Sequence, residues 1–213
     1  AINKGNEDII NLFLEKIEQR KISLSYIYLF KAIKTRNPEL VKKIVNLGVR
    51  VDSLDDQGKG VFHTLFTAFN KQIAKCALIG DFLLDQGAPV NNLDNDCWAP
   101  VHLASRKGCK ECLLWIIASN KKLKNEGKEE FNLNMKGRHH LTHLHLVIHS
   151  ARIEETLILL EYGCDIFARN IEAKTPKIMS IGRFEFSKLL SHYEYSILRE
   201  KYEKNNNKPK QIN

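Results

Sequence analysis

The chain has 213 residues, 43% hydrophobic and 27% charged, with a formal net charge of +8, an ordinary composition for a globular or repeat protein. No run approaches the ~20 apolar residues of a membrane-spanning helix, and Ala1-Ile2-Asn3-Lys4-Gly5 lacks the basic-then-apolar layout of a secretory signal. Five cysteines at irregular spacing do not form a disulfide framework, so cytoplasm or nucleus is expected, without membrane insertion.

The positive charge would permit nucleic-acid binding by counterion release. It is spread along the chain and mixed with Asp and Glu, so nucleic acid is not the expected partner.

In chain order, residues 1–21 read as the end of one helix followed by a second, Glu7-Asp8-Ile9-Ile10-Asn11-Leu12-Phe13-Leu14. The array is therefore expected to open inside a unit of a longer polypeptide. An apolar run ending in glycine then recurs, at Leu40 to Gly48, at Phe82 to Val90 and at Ala151 to Asp165. Between these runs lies a second recurring segment. It reads Gly58-Lys59-Gly60-Val61-Phe62-His63, then Cys97-Trp98-Ala99-Pro100-Val101-His102-Leu103-Ala104, then Leu141-Thr142-His143-Leu144-His145-Leu146, then Lys174-Thr175-Pro176. Equivalent starts fall near 22, 55, 94, 137 and 170, at spacings of 33, 39, 43 and 33 residues. The two longer spacings place insertions near Thr67 to Lys75 and between Asn120 and Phe131. A polar tail is expected over 201–213.

The residue types suit paired helices. Pro100 and Pro176 fit a first helical turn, where a missing N–H costs nothing. Thr142 and Thr175 are placed to cap free N–H groups. Gly48, Gly87 and Gly163 follow apolar helices, and Gly108 separates two that must lie antiparallel. Ile153, Leu157 and Leu160 are expected on one helical face, as are Cys109, Cys112 and Ile116.

These segments resemble, in degraded form, the ankyrin signature Gly-x-Thr-Pro-Leu-His-x-Ala, whose unit is about 33 residues. The resemblance covers residues 1 to about 200 and implies an all-α solenoid of five to six repeats. Its paired antiparallel helices would be joined by short β-hairpins, two repeats carrying insertions. In such an array no unit buries its apolar face alone, so neighbours stack into a continuous core. The resemblance also implies that His63, His102 and His145 use their ring nitrogens on backbone groups of neighbouring loops. The last unit departs from the pattern, with Lys177-Ile178 in place of Leu-His, and reads as a degenerate cap.

The family binds other proteins through hairpin tips and the outward residues of the first helices. Carried over, the tips hold Asp56, Gln57 and Lys59, then Asn95, Asp96 and Trp98, then Arg138 and His139, then Glu172 and Lys174. The inner helices add Tyr26, Lys34, Arg106, Lys107, His149 and Arg183. Trp98 has two readings, a binding anchor or a ring packed on the next hairpin.

The expected function is a protein-interaction module, monomeric, with an adaptor or targeting role. Alternatives are a ligand or nucleic-acid surface, with Trp98 stacking on a base and Arg106 and Lys107 meeting phosphate, or the targeting segment of a larger enzyme or channel. No catalytic constellation, metal site or cofactor is expected. The histidines at 139, 140, 143, 145 and 149 lack the interposed glutamate of a zinc-protease helix. Cys109-Lys110-Glu111-Cys112 lacks both a second cysteine pair and a thioredoxin-like strand–helix unit.

Overall fold

The computed structural model describes residues 24–69 and 72–206, with Leu12 and Lys16 besides. Apart from Leu12 and Lys16, the partial unit expected over 1–21 lies outside them, as do the first two residues of the unit at 22 and residues 207–213 of the tail. The chain divides into two compact units, residues 1–131 and 132–213. Every regular element among the described residues is helical, and none of these helices is long and apolar enough to cross a membrane.

The first unit contains α1 (Tyr26–Thr35), α2 (Pro38–Asn46), α3 (Val61–Ala68), α4 (Ile73–Asp85), α5 (Pro100–Lys107) and α6 (Lys110–Asn125). Each odd helix packs on the even one that follows. The odd helices also touch in sequence, α1 on α3 on α5, as do the even ones, α2 on α4 on α6, which gives two rows. The second unit contains a short 3-10 turn, then α7 (His143–His149), α8 (Ile153–Glu161), α9 (Pro176–Met179) and α10 (Phe184–Asn206). There α7 packs on α8 and α9, and α9 on α10. Helix α10 carries six residues into the stretch read as a polar tail.

The helix ends follow the expected chemistry, with one exception. Asn37 accepts from the N–H groups of Glu39 and Leu40 ahead of Pro38, and Thr175 accepts from Ile178 ahead of Pro176. Gly108 closes α5 in the left-handed region at φ +66°, where any side chain would be strained. The exception is Thr142, whose hydroxyl does not cap an N–H but lies 2.8 Å from Nδ1 of His145.

The β-hairpin connections are replaced by tight turns, with no strand among the described residues. Each is closed by one backbone bond spanning four residues: Asp55 N–H to Lys59, Asp94 to Trp98, Gly137 to Leu141 and Asn170 to Lys174. The arms are too short for a ladder. In three of the four turns Asp55, Asp94 or Asn170 also accepts two N–H groups on its side-chain oxygen, as short polar side chains do in turns.

One further expectation is corrected. Ile153 and Leu157 are only half buried, and α8 packs its core through Thr156, Leu159 and Leu160. The first half of the insertion between Asn120 and Phe131 is helix, because α6 runs on to Asn125. The turn back is pinned by buried Asn120, which donates to the Phe131 carbonyl at 2.9 Å and accepts its N–H at 2.8 Å. Phe131 thereby enters a cluster with buried Phe62 and Phe66 and half-buried Trp115, and its ring meets Phe62 edge-on at 5.2 Å.

Candidate partner-binding surfaces

The histidines decide what the loops can offer. His63, His102 and His145 are buried at the third position of α3, α5 and α7. In each, Nδ1 accepts the backbone N–H of the capping residue, from Gly60 at 3.0 Å, Ala99 at 3.0 Å and Thr142 at 3.2 Å. This supplies half of a capping box, with imidazole in the place of a carboxylate. The opposite nitrogen reaches the next loop: Nε2 of His63 donates to the Trp98 carbonyl at 2.9 Å, and that of His145 to Lys174 at 3.2 Å. Burial lowers the pKa of both imidazoles and keeps them neutral, as this pattern of one acceptor and one donor requires.

Loops also bond side by side. Asn95 N–H donates to the Gln57 carbonyl in the first unit, and Ile171 N–H to the His139 carbonyl in the second, each at 2.9 Å. With the backbone thus committed inward, the tip side chains are left outside.

In the first unit Lys34, Asp56, Gln57, Asn95, Asp96, Arg106 and Lys107 are exposed, with Tyr26 and Lys59 half buried. The Tyr26 hydroxyl donates to Asp56 at 3.2 Å, and the nearby carboxylate raises its pKa. Trp98 is the correction. It is 8% exposed, meets His102 edge-on at 5.5 Å and lies beneath the Arg106 guanidinium at 5.3 Å. Its ring lies back along α5 and is covered by a cation, so neither an exposed anchor nor a base-stacking platform is formed there.

In the second unit Arg138, His139, His149, Glu172 and Lys174 are exposed and Arg183 is half buried, its guanidinium donating to the Ile148 carbonyl. His139, His149, Glu172 and Lys174 are brought together around one cleft of ≈ 570 Å³. Its floor was not expected from sequence: Leu141, Leu146, Ile178 and Met179. The available signal was Ile178 itself, which takes the third helical position held by histidine in the other units.

Four of the five cysteines, Cys76, Cys109, Cys112 and Cys164, are buried and structural. Cys109 accepts the Cys112 N–H at 3.3 Å and so caps α6, while burial raises the pKa of Cys109, Cys112 and Cys76, and that of Cys164 to about 12. Protonated buried thiols are poor nucleophiles. Among the described residues no group of three or more His, Cys, Asp or Glu side chains is placed to hold a metal ion. No family model and no curated protein matches the chain.

Proposed function

We propose that this chain is an ankyrin-repeat interaction module, a monomeric adaptor or targeting segment that holds another protein in the cytoplasm or nucleus. One observation carries the reading: the same turn recurs four times with the same closing bond. At two of these turns a histidine two helices back, on α3 or α7, ties the loop down. That recurrence commits backbone and imidazole to holding the loops, and it leaves the tip side chains on the surface. The paired helices in two rows and the left-handed closure at Gly108 support the same family assignment.

The test is photo-crosslinking in extract of the native cell, with the crosslinker at exposed Asn95 or His139. A single protein should be captured at either position, and capture should fall when Asp96→Lys with Lys107→Glu is introduced in the first unit. Both positions are exposed, so the melt should not move. Capture that ignores every tip substitution would sink the reading. A steep, salt-dependent affinity for single-stranded oligonucleotide, lost in the same variant, would favour the nucleic-acid alternative.

A further inference from the structure

Within the first unit the two rows of helices differ in charge. Helices α2, α4 and α6 mix signs, with Glu39, Asp81, Asp85 and Glu111 among their lysines. Helices α1, α3 and α5 contain no Asp or Glu, and their cations Lys31, Lys34, Arg106 and Lys107 are all exposed. Among the described residues no carboxylate is ion-paired with Lys31, Lys34 or Lys107, and Arg106 lies over the Trp98 ring. Cations near a helix C-terminus also offset its macrodipole. That effect does not account for the split, since α4 ends on Asp85 and Lys31 lies a turn before the end of α1.

Their placement is the second observation. Lys34, Thr67 and Arg106 are the penultimate residues of α1, α3 and α5, and all three are exposed. The helices pack in that order, α1 on α3 on α5, so three equivalent positions line up across the row. The outer two are cationic, each with a second lysine close by in the same helix, Lys31 or Lys107. The middle one, Thr67, is the one exposed residue of α3, and its hydroxyl is turned onto the Thr64 carbonyl at 2.7 Å. Packed helices lie ~8–10 Å apart, so the two cationic pairs stand ~16–20 Å apart across a neutral gap.

An occupant has to match that alternation of charge. A nucleic-acid strand carries a phosphate at every nucleotide and would set uncompensated charge over Thr67. An extended polypeptide can place carboxylates at two points and leave the middle neutral, and at ~3.3 Å per residue it covers the span in about five or six residues.

We propose that the C-terminal halves of α1, α3 and α5 hold an extended acidic segment of the partner protein. One of its carboxylate clusters meets Lys31 and Lys34, and the other, about five or six residues away, meets Arg106 and Lys107. The proposal rests on the interaction-module reading and names the partner's chemistry at that surface.

The experiment titrates the full chain into fluorescein-labelled peptides that carry two Glu-Glu pairs separated by a graded number of Gly and Ser residues. Binding is read by anisotropy at low salt. Affinity should peak where the pairs lie about five or six residues apart. Lys34→Glu with Lys107→Glu should weaken the best peptide at least about tenfold and abolish the peak. Lys34→Gln with Lys107→Gln carries the same test, with a smaller loss, should the reversal fail to give a native circular dichroism spectrum and melt. Exposed Lys121→Glu with Lys124→Glu makes the same change of charge on α6, in the other row, and should leave the peptide bound. The proposal is overturned by no binding at low salt or by an affinity that ignores the separation. An equal loss in the α6 variant also overturns it, because net charge alone would then be the cause. So does a labelled single-stranded oligothymidylate that binds more tightly than the best peptide and is lost in Lys34→Glu with Lys107→Glu. The interaction-module reading falls separately, on the crosslinking experiment. A partner captured there as well by Lys34→Glu with Lys107→Glu as by the parent would leave that reading standing and remove this surface from it.

Discussion

Gly58 turns its loop at φ +72°, whereas Cys97 and Ala173 take the equivalent left-handed positions at +60° and +57° with a side chain attached. A β-carbon in that region costs ~1–2 kcal/mol, and glycine escapes the clash. Ala173→Gly should therefore stabilise the second unit by about 1 kcal/mol, read as a higher urea midpoint at unchanged slope. Gly108→Val runs the opposite way and should cost at least ~1 kcal/mol; an unchanged midpoint would put the α5 boundary elsewhere. Trp98→Ala should cost ~3–5 kcal/mol, since the ring is buried and its loss leaves a cavity. The imidazoles set the response to acid. Burial lowers the folded pKa of His63 and His145, so below ~6.5 the unfolded chain binds more protons than the folded one. Stability is complete above about pH 6.5 and declines from there toward the lowered folded pKa. His63→Gln with His145→Gln should flatten that decline, even though the variant is weaker at neutral pH. An equal acid slope in variant and parent would remove the histidines as its cause.

Helices α6 and α8 mark where the sequence was legible and where it was not. The capping prolines, Gly108 and the inward histidines were readable because each has one dominant task at a helix end. The face of α8 was not. Its run Thr156-Leu157-Ile158-Leu159-Leu160 is apolar nearly all round, so periodicity does not choose a face. Thr156 goes inside because its hydroxyl satisfies itself on the Arg152 carbonyl at 2.6 Å. The end of α6 was not placed from sequence because Lys121, Lys122, Lys124 and Asn125 are polar. Yet buried Leu113, Ile116, Asn120 and Leu123 keep a helical spacing straight through them. Trp98 was ambiguous because nothing in one dimension says that Arg106, two turns on, will cover it. The clamp at Asn120 predicts that Asn120→Ala costs about 2 kcal/mol, because the Phe131 N–H and carbonyl both lose a buried partner. Hydrogen exchange should speed up over residues 121–131; exchange unchanged there would show that the aromatic cluster alone holds the return. Gly80 belongs to the same core, since a β-carbon there would lie 2.4 Å from the Trp115 ring.

Across the whole molecule, the proposed function asks both units to present binding side chains, and the two can be separated by substitution. Lys107→Glu changes an exposed residue of the first unit and His139→Glu an exposed tip of the second. Neither position packs in a core, so each variant should keep the parent's helical signal and melt. Interface residues of this kind cost from near zero to ~2 kcal/mol each, according to how central they are. Effects of substitutions that share no side-chain partner add in free energy within ~0.5 kcal/mol. The double variant should therefore lose affinity for the crosslinked partner by the product of the two single losses, measured by titrating that partner in purified form. A product larger than expected would mean that the two surfaces engage one partner cooperatively, which the additivity rule does not allow for separate contacts. A neutral His139→Glu beside a damaging Lys107→Glu would confine the interface to the first unit and remove the cleft from it. The reverse pattern would leave the tips of the first unit as solvated surface, with the whole of recognition in residues 132–206.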